Sequence, residues 1–239
     1  MNASPMNASP MNASHMNQDT ARSIPRTIGY LVAWAVTIWL ALFGCGKLLT
    51  GPLSGQAWER RDGWVDRWLA GHRQNWLNTA THIGTTLAET ITVTAIAIVA
   101  FIVLRLVTHR WRPSMFVAAA LIGEVTIFVS TTLVVDRARP DVHRLDNAPP
   151  TSSFPSGHMA ASVTLYGSLA ILAVLLLRRQ WLRTVAVAIA VAVPLIVGFS
   201  RLYRGMHFPS DVLAGALLAL IWLTVCVKLI HPAEVGRAS

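Results

Sequence analysis

Residues 151–177 read TSSFPSGHMAASVTLYGSLAILAVLLL. Pro155, Ser156, Gly157 and His158 stand at the head of an apolar run long enough to cross a hydrocarbon core, which takes about 20 apolar residues in a helix. Counting this run, the chain has six, at roughly 27–48, 83–107, 114–135, 158–177, 181–200 and 211–230. They are too long for barrel strands and do not alternate in polarity. Lipid offers no partner to a free peptide group, so each run is expected to be a helix. The expected fold class is all-α: a polytopic membrane protein of six transmembrane helices with both termini on one side.

Composition agrees. Of 239 residues, 54% are hydrophobic and 13% charged, and the mean hydropathy is +0.50, above that of soluble domains. A formal charge of +9 would suggest a nucleic-acid partner in a soluble protein. Here the arginines sit in loops between spans, with no basic domain interleaved with aromatics, so they read as topology determinants and contacts to anionic membrane lipids. No nucleic-acid partner is expected.

Residues 1–15, MNASPMNASPMNASH, repeat a five-residue unit and read as an expression tag, set aside for fold reasoning. The rest divides into an N-terminal tail (16–26), a membrane domain (27–231) and a C-terminal tail (232–239). Cys45 and Cys226 fall near opposite faces of the membrane, too far apart for a disulfide. Oligomeric state leaves no trace in the sequence.

One face receives the N-terminus, the loops 108–113 and 178–183, and the C-terminus. The other carries most of the acids, among them Glu59, Asp62, Asp66, Asp136, Asp141, Asp146 and Asp211. With Arg139 and Arg201 set aside as functional, basic residues favour the first face modestly, which makes it cytoplasmic and turns the acidic face outward. This fits a multi-pass protein of a bacterial plasma membrane. In the outward segment at about 55–76, Trp58, Val65, Trp68, Leu69, His72 and Trp76 recur near helical spacing among charges. That pattern predicts an amphipathic helix lying in the membrane interface, with its aromatic side chains fixing depth.

With six spans laid down alternately, the third ends, the fourth begins, the fifth ends and the sixth begins on the outward face. At the end of the third stand Arg137, Arg139 and Pro140. An arginine fork binds phosphate oxygens bidentately, and the proline stops the helix. At the start of the fourth, Ser156 is placed to cap the helix, Gly157 allows close approach to the backbone, and free N–H groups welcome an anion. His158 is placed to donate a proton. At the end of the fifth come Ser200, Arg201, Arg204 and His207, with Asp211 four residues on. Arg201 offers further phosphate contacts, His207 can attack phosphorus, and Asp211 can orient the histidine, cap the sixth helix, or do both. Two arginines, two histidines, a serine and an aspartate on one face assemble the parts of phosphoryl transfer. The arginines supply the positive charge, so neither metal nor other cofactor is expected.

Taken in order, Arg139-Pro140, Pro155 to His158, and Ser200-Arg201 followed by His207 resemble the signature of the type 2 phosphatidic acid phosphatase superfamily, over roughly residues 84–230. The resemblance implies a membrane-integral lipid phosphatase. In it His207 forms a phosphohistidine supported by Asp211, His158 protonates the leaving group and then activates water, and Arg139, Ser156, Gly157 and Arg201 hold the phosphate. One position departs from the pattern: the family's lysine, seven residues before the arginine, is Thr132 here. Arg137, or else Arg204, is expected to replace it. Glu89 and Glu124 lie inside predicted spans, where an ionisable residue raises a functional question, and neither is assigned to catalysis.

The expected substrate is a lipid phosphate or diphosphate: undecaprenyl (polyprenyl) diphosphate, or a phospholipid phosphate such as phosphatidic acid or phosphatidylglycerol phosphate. Two rivals remain. The motifs also resemble those of vanadium-dependent haloperoxidases, which are soluble, and six spans argue against that reading. A lipid-phosphate binding or transport protein would need the cradle and no nucleophile.

Overall fold

The computed structural model describes residues 11–232. Eight helices make up the described chain: α1 (Met11–Thr50), α2 (Ala57–Gly71), α3 (Asn75–Thr86), α4 (Thr90–Thr108), α5 (Arg112–Val134), α6 (Gly157–Leu176), α7 (Gln180–Tyr203) and α8 (Pro209–Ile230). Six helices are long and apolar enough to span a membrane, namely Pro25–Thr50 of α1 and all of α4 to α8. The six-helix membrane fold is therefore present, with an amphipathic helix between the first two spans.

Three boundaries differ from those expected. The tail at 16–26 continues α1 without a break, while residues 1–10 of the expected tag and 233–239 of the C-terminal tail lie outside the described residues. The expected interfacial segment is α2 plus the start of a separate short helix, α3. The second span begins at Thr90, not at 83. Its apolar run passes through the polar stretch Thr85-Thr86-Leu87-Ala88-Glu89, where the chain turns between α3 and α4. Glu89 consequently occupies the N-cap position of α4, where a carboxylate suits the positive end of the helix. It is not buried within a span.

Helix α2 turns an aromatic face outward, as a helix in the membrane interface requires. Asp62, Gly63, Asp66 and Leu69 are buried against the protein, whereas Trp64 and Trp68 are exposed. The aromatic side chains occupy the outer surface, and two acids spaced i, i+4 point inward.

Helix α6 is the centre of the bundle, packed by α5, α7 and α8. Small residues along it, including Ala160, Ser162 and Ser168, are fully buried and let neighbouring backbones come close, which is how helices associate without a hydrophobic drive in lipid. Two glycines set the closest approaches. A Cβ at Gly215 of α8 would collide with the Ser156 carbonyl at the start of α6, and one at Gly123 of α5 would enter the ring of Trp222. That indole is fixed by its Nε1–H donating to the Ala120 carbonyl at 2.9 Å. Gly215 thereby sets the separation of the α6 and α8 starts, the two helix ends beside His158 and Asp211.

Gly215→Ala is expected to cost about 1–3 kcal/mol, because the atom in the way is backbone and cannot rotate aside. Gly44→Ala, with nothing within 4 Å of the added methyl, is expected to leave the thermal midpoint unchanged or slightly raised. Thermal unfolding of both variants in detergent checks the difference; equal midpoints would deny Gly215 its spacer role.

Candidate active site

Four of the residues singled out from the sequence come together where α5, α6, α7 and α8 meet. Arg139, His158, Arg201 and His207, together with Gly157, line the polar end of one cavity of about 740 Å³. The rest of that cavity is an apolar groove between α4 and α5, walled by residues such as Val93, Ala97, Phe101, Val117, Leu121 and Phe128. Along α5 it runs from Leu133 to Val117, about 24 Å at the helical rise. Its rim includes Ile98, Ile102, Val125 and Leu133, which are also exposed on the outer surface, so the groove opens sideways from the bundle.

The polar end is rich in unused donors. Arg201 donates through Nη1 to Thr85 Oγ1 at 2.9 Å and to Asp146 Oδ2 at 3.1 Å, and Arg139 donates through Nη1 to the Met206 carbonyl at 2.8 Å. In each case the Nε–H is buried and without a partner, as is the Ser156 hydroxyl. Unsatisfied donors at this depth are costly, and an anion bound between the two arginines that line the cavity would offer them acceptors. Ser156 does sit at the N-cap of α6, but its hydroxyl makes no capping bond. Instead its backbone N–H donates to the Asp211 carbonyl at 3.0 Å. The space Gly157 leaves is filled by the Phe128 ring, whose Cζ lies 2.5 Å from where a Cβ would stand. That glycine admits an aromatic neighbour to the helix start.

His207 is buried at the back of the polar end. Its Nδ1 lies 2.8 Å from the Ser153 carbonyl. A carbonyl only accepts, so Nδ1 carries the proton and the Nε2 lone pair is free. Burial, reinforced by the charges of Arg201 and Arg139, pushes the imidazole well below its usual pKa and keeps it neutral. The bond expected from Asp211 to His207 is not direct, since the carboxylate stands 3.9 Å from Nδ1. Asp211 instead accepts from the hydroxyl of Ser153, the guanidinium of Arg137 and the Phe208 N–H. It holds the loop that holds the histidine.

Arg137 and Arg204, expected as phosphate ligands, do not line the groove. Arg137 pairs with Asp62 at 2.9 Å and with Asp211, donates to Ser210 Oγ at 2.7 Å and lies over the Phe208 ring at 4.4 Å. Arg204 is clamped on Asp146 through Nε at 2.8 Å and donates to the carbonyls of Asn78 and Leu145. Burial works to raise the Asp146 pKa, but Arg204 and Arg201 outweigh it and hold the carboxyl below its usual range. Both Arg137 and Arg204 are drawn away from the groove by these acids. Thr132 does line the groove, and its hydroxyl donates to the Val129 carbonyl of its own helix at 2.8 Å. No cation takes the place of the family lysine among the residues lining the groove.

Sequence reasoning missed Ser153, Asp62, Asp66 and Asp146. Only the i, i+4 spacing of Asp62 and Asp66 could have marked them. Asp66 is buried, with both carboxylate oxygens unpartnered. Burial, with Asp62 and Asp211 nearby, pushes its pKa from 3.8 up to about 8.

A family model for the PAP2 superfamily matches residues 88–234. Among similar proteins, an undecaprenyl-diphosphatase of Sulfolobus acidocaldarius is 34% identical over 103 residues, 43% of this chain and 46% of that one. Phosphatidylglycerophosphatase B of Bacillus subtilis is 36% identical over 92 residues, 36% of this chain and 43% of that one. The matched stretch thus spans about half or less of either relative. Among solved structures, a transmembrane PAP2 type phosphatidylglycerolphosphate phosphatase from Bacillus subtilis superposes with a TM-score of 0.72 at 22% identity, covering 84% of this chain and 98% of that one. LpxE of Aquifex aeolicus superposes with a TM-score of 0.54 at 23% identity, covering 69% and 93%. At these identities the superpositions establish a shared fold.

The buried acids predict a pH dependence of stability. Asp66 keeps its proton up to about pH 8 when folded and loses it near 3.8 otherwise. Between those values the folded state binds the extra proton, so stability falls as pH rises through the window and levels off above it. Asp66→Asn is expected to flatten this slope and to raise the thermal midpoint above the wild type by about 2–4 °C or more at pH 8, with little difference near pH 4. Midpoints measured across this range check it.

Proposed function

The chain belongs to the PAP2 superfamily, and from that premise we propose that it is an integral-membrane phosphatase that removes the terminal phosphate of a lipid phosphate or diphosphate. The observation that carries this reading is the joining of a sideways-opening apolar groove to a polar end with buried, unpartnered arginine donors and two histidines. An acyl or polyprenyl tail suits the groove. A phosphate at the polar end meets the Nε–H groups of Arg139 and Arg201, with the Ser156 hydroxyl and the free N–H groups at the start of α6 close by.

In the proposed reaction the Nε2 lone pair of His207 attacks phosphorus in line, and the bond to the leaving oxygen breaks with its electron pair. His158, also lining the cavity, gives that oxygen a proton. The phosphohistidine is then attacked by water, from which His158 takes a proton, and inorganic phosphate leaves with the histidine restored. Arg139 and Arg201 neutralise charge on the equatorial oxygens, so the step calls on no metal. Asp211 acts as a positioning residue through Ser153. Undecaprenyl diphosphate, phosphatidic acid and phosphatidylglycerol phosphate are the substrates in view, the first and last supported by the names of the relatives. The charge bias of the loops supports an extracytoplasmic site, with the chain spanning a bacterial plasma membrane.

Purified protein in detergent with EDTA is expected to release phosphate from at least one of these three lipids. His207→Ala is expected to abolish release, and Arg139→Ala to lower it by about 10²–10³-fold, as for the loss of one charge-stabilising donor. Release that survives His207→Ala would rule out the phosphohistidine. Binding of all three lipids with no release would favour a lipid-phosphate carrier instead.

A further inference from the structure

We propose that Glu124 is a specificity-determining residue that favours lipid phosphates with a glycerol-ester region directly behind the phosphate; this rests on the phosphatase reading. Glu124 is 2% exposed and lines the groove. The groove that it lines is mostly apolar, with Val93 and Ala97 of α4, Leu121 and Val125 of α5 and Ala161 of α6 on its wall beside Thr90 and Thr94 of α4. Among the described residues no hydrogen-bonding or charged group meets its carboxyl. A lone carboxyl on an apolar wall inside a membrane is costly, and any apolar residue would fill the same space without that cost. A polar group carried by the groove's occupant would offset it.

The depth identifies that group. The Phe128 ring packs against Gly157, the first residue of α6, beside the phosphate-binding groups. Glu124 lies one turn further along α5, about 6 Å, and its Cα–Cβ bond tilts further in the same direction, toward the start of that helix. In a diacylglycerol phosphate the ester carbonyls lie about five bonds from phosphorus, which at ordinary bond lengths is about 6 Å of chain. Their oxygens would reach Glu124 while the phosphate sits among Arg139, Arg201 and His207. A polyprenyl diphosphate bound by its terminal phosphate has already passed its inner phosphate at that depth and offers hydrocarbon. Alone on this wall the carboxyl is neutral, so its O–H donates to an ester carbonyl in the one lipid and finds no acceptor in the other, and a site with an unmet polar group discriminates strongly against the ligand that leaves it so.

The test compares kcat/KM for dioleoyl phosphatidic acid, its ether-linked analogue without carbonyls, and undecaprenyl diphosphate, using wild type, Glu124→Leu and Glu124→Gln in mixed micelles. Wild type is expected to prefer the ester to the ether by about tenfold, chiefly through KM. Glu124→Leu is expected to erase that preference, and Glu124→Gln, which still hydrogen-bonds, to retain most of it. Equal loss on all three lipids, or a wild type indifferent to ester and ether, overturns the assignment; the second comparison needs no variant and so does not depend on the folding of either. A wild type that releases phosphate from none of the lipids overturns the phosphatase reading itself, which is distinct from an active enzyme in which Glu124 makes no difference.

Discussion

A carboxylate shut away from water organises the polar end of this bundle. Asp211 is 0% exposed, and an ion at that depth is tolerated only when fully surrounded, since its uncompensated burial costs several kcal/mol. Its partners come from three separate places: Arg137 just beyond α5, Ser153 in the loop before α6, and the Phe208 N–H at the start of α8. Moving Arg137 away would leave a buried charge unpaired, and moving either of the others would leave it short of a hydrogen bond. His207 is placed as a consequence, because the serine whose hydroxyl Asp211 holds gives its carbonyl to Nδ1. The same bond fixes the tautomer, leaving the Nε2 lone pair free.

Charge is shared out so that, among the described residues, two cations line the groove, Arg139 and Arg201. Arg137 is taken by Asp62 and Asp211, which leaves a third acid, Asp66, without a counter-ion, so that it keeps its proton instead. Asp146 takes Arg204 and one nitrogen of Arg201. Arg201 and Arg139 are each held by Nη1 and present a free Nε–H. Helix α2 therefore does more than lie on the membrane surface. It carries Asp62, which holds Arg137 away from the groove and keeps the α8 start in place, with the Ser210 N–H also donating to Asp62 at 3.0 Å.

The parts legible in the sequence were those written in local patterns. Six apolar runs mark the spans, and the segments around Arg139, His158 and His207 mark the groups that line the polar end, because each sits at a helix terminus whose position the hydropathy already fixes. What escaped were pairings between distant segments. Nothing near Arg137 in the chain says that its partner is Asp62, some 75 residues away, and Arg204 reads as a spare cation until Asp146 is seen beside it. On α2 the tryptophans mark the side turned to the membrane surface, while nothing local says that Asp62 is buried against an arginine. The start of the second span is blurred because Leu87 and Ala88 bridge α3 and α4 in hydropathy without continuing either helix.

Thr132 connects the two halves of the cavity. The cations reach the polar end from the loop after α5 and from α7, while α5 itself presents Thr132, its hydroxyl turned back to the Val129 carbonyl. The groove runs along that same helix, so the side of the cradle facing the tail carries no charge. In the proposed function this has a double consequence. The phosphate is held from two sides and by the start of α6, with less total positive charge than a third cation would give. In return, the passage between cradle and groove is lined by a short side chain where a lysine would lay a long one across the path of the lipid. A weaker hold on the phosphate shifts recognition to the portion of the lipid directly behind it, and therefore to the groove wall in which Glu124 is the buried carboxyl.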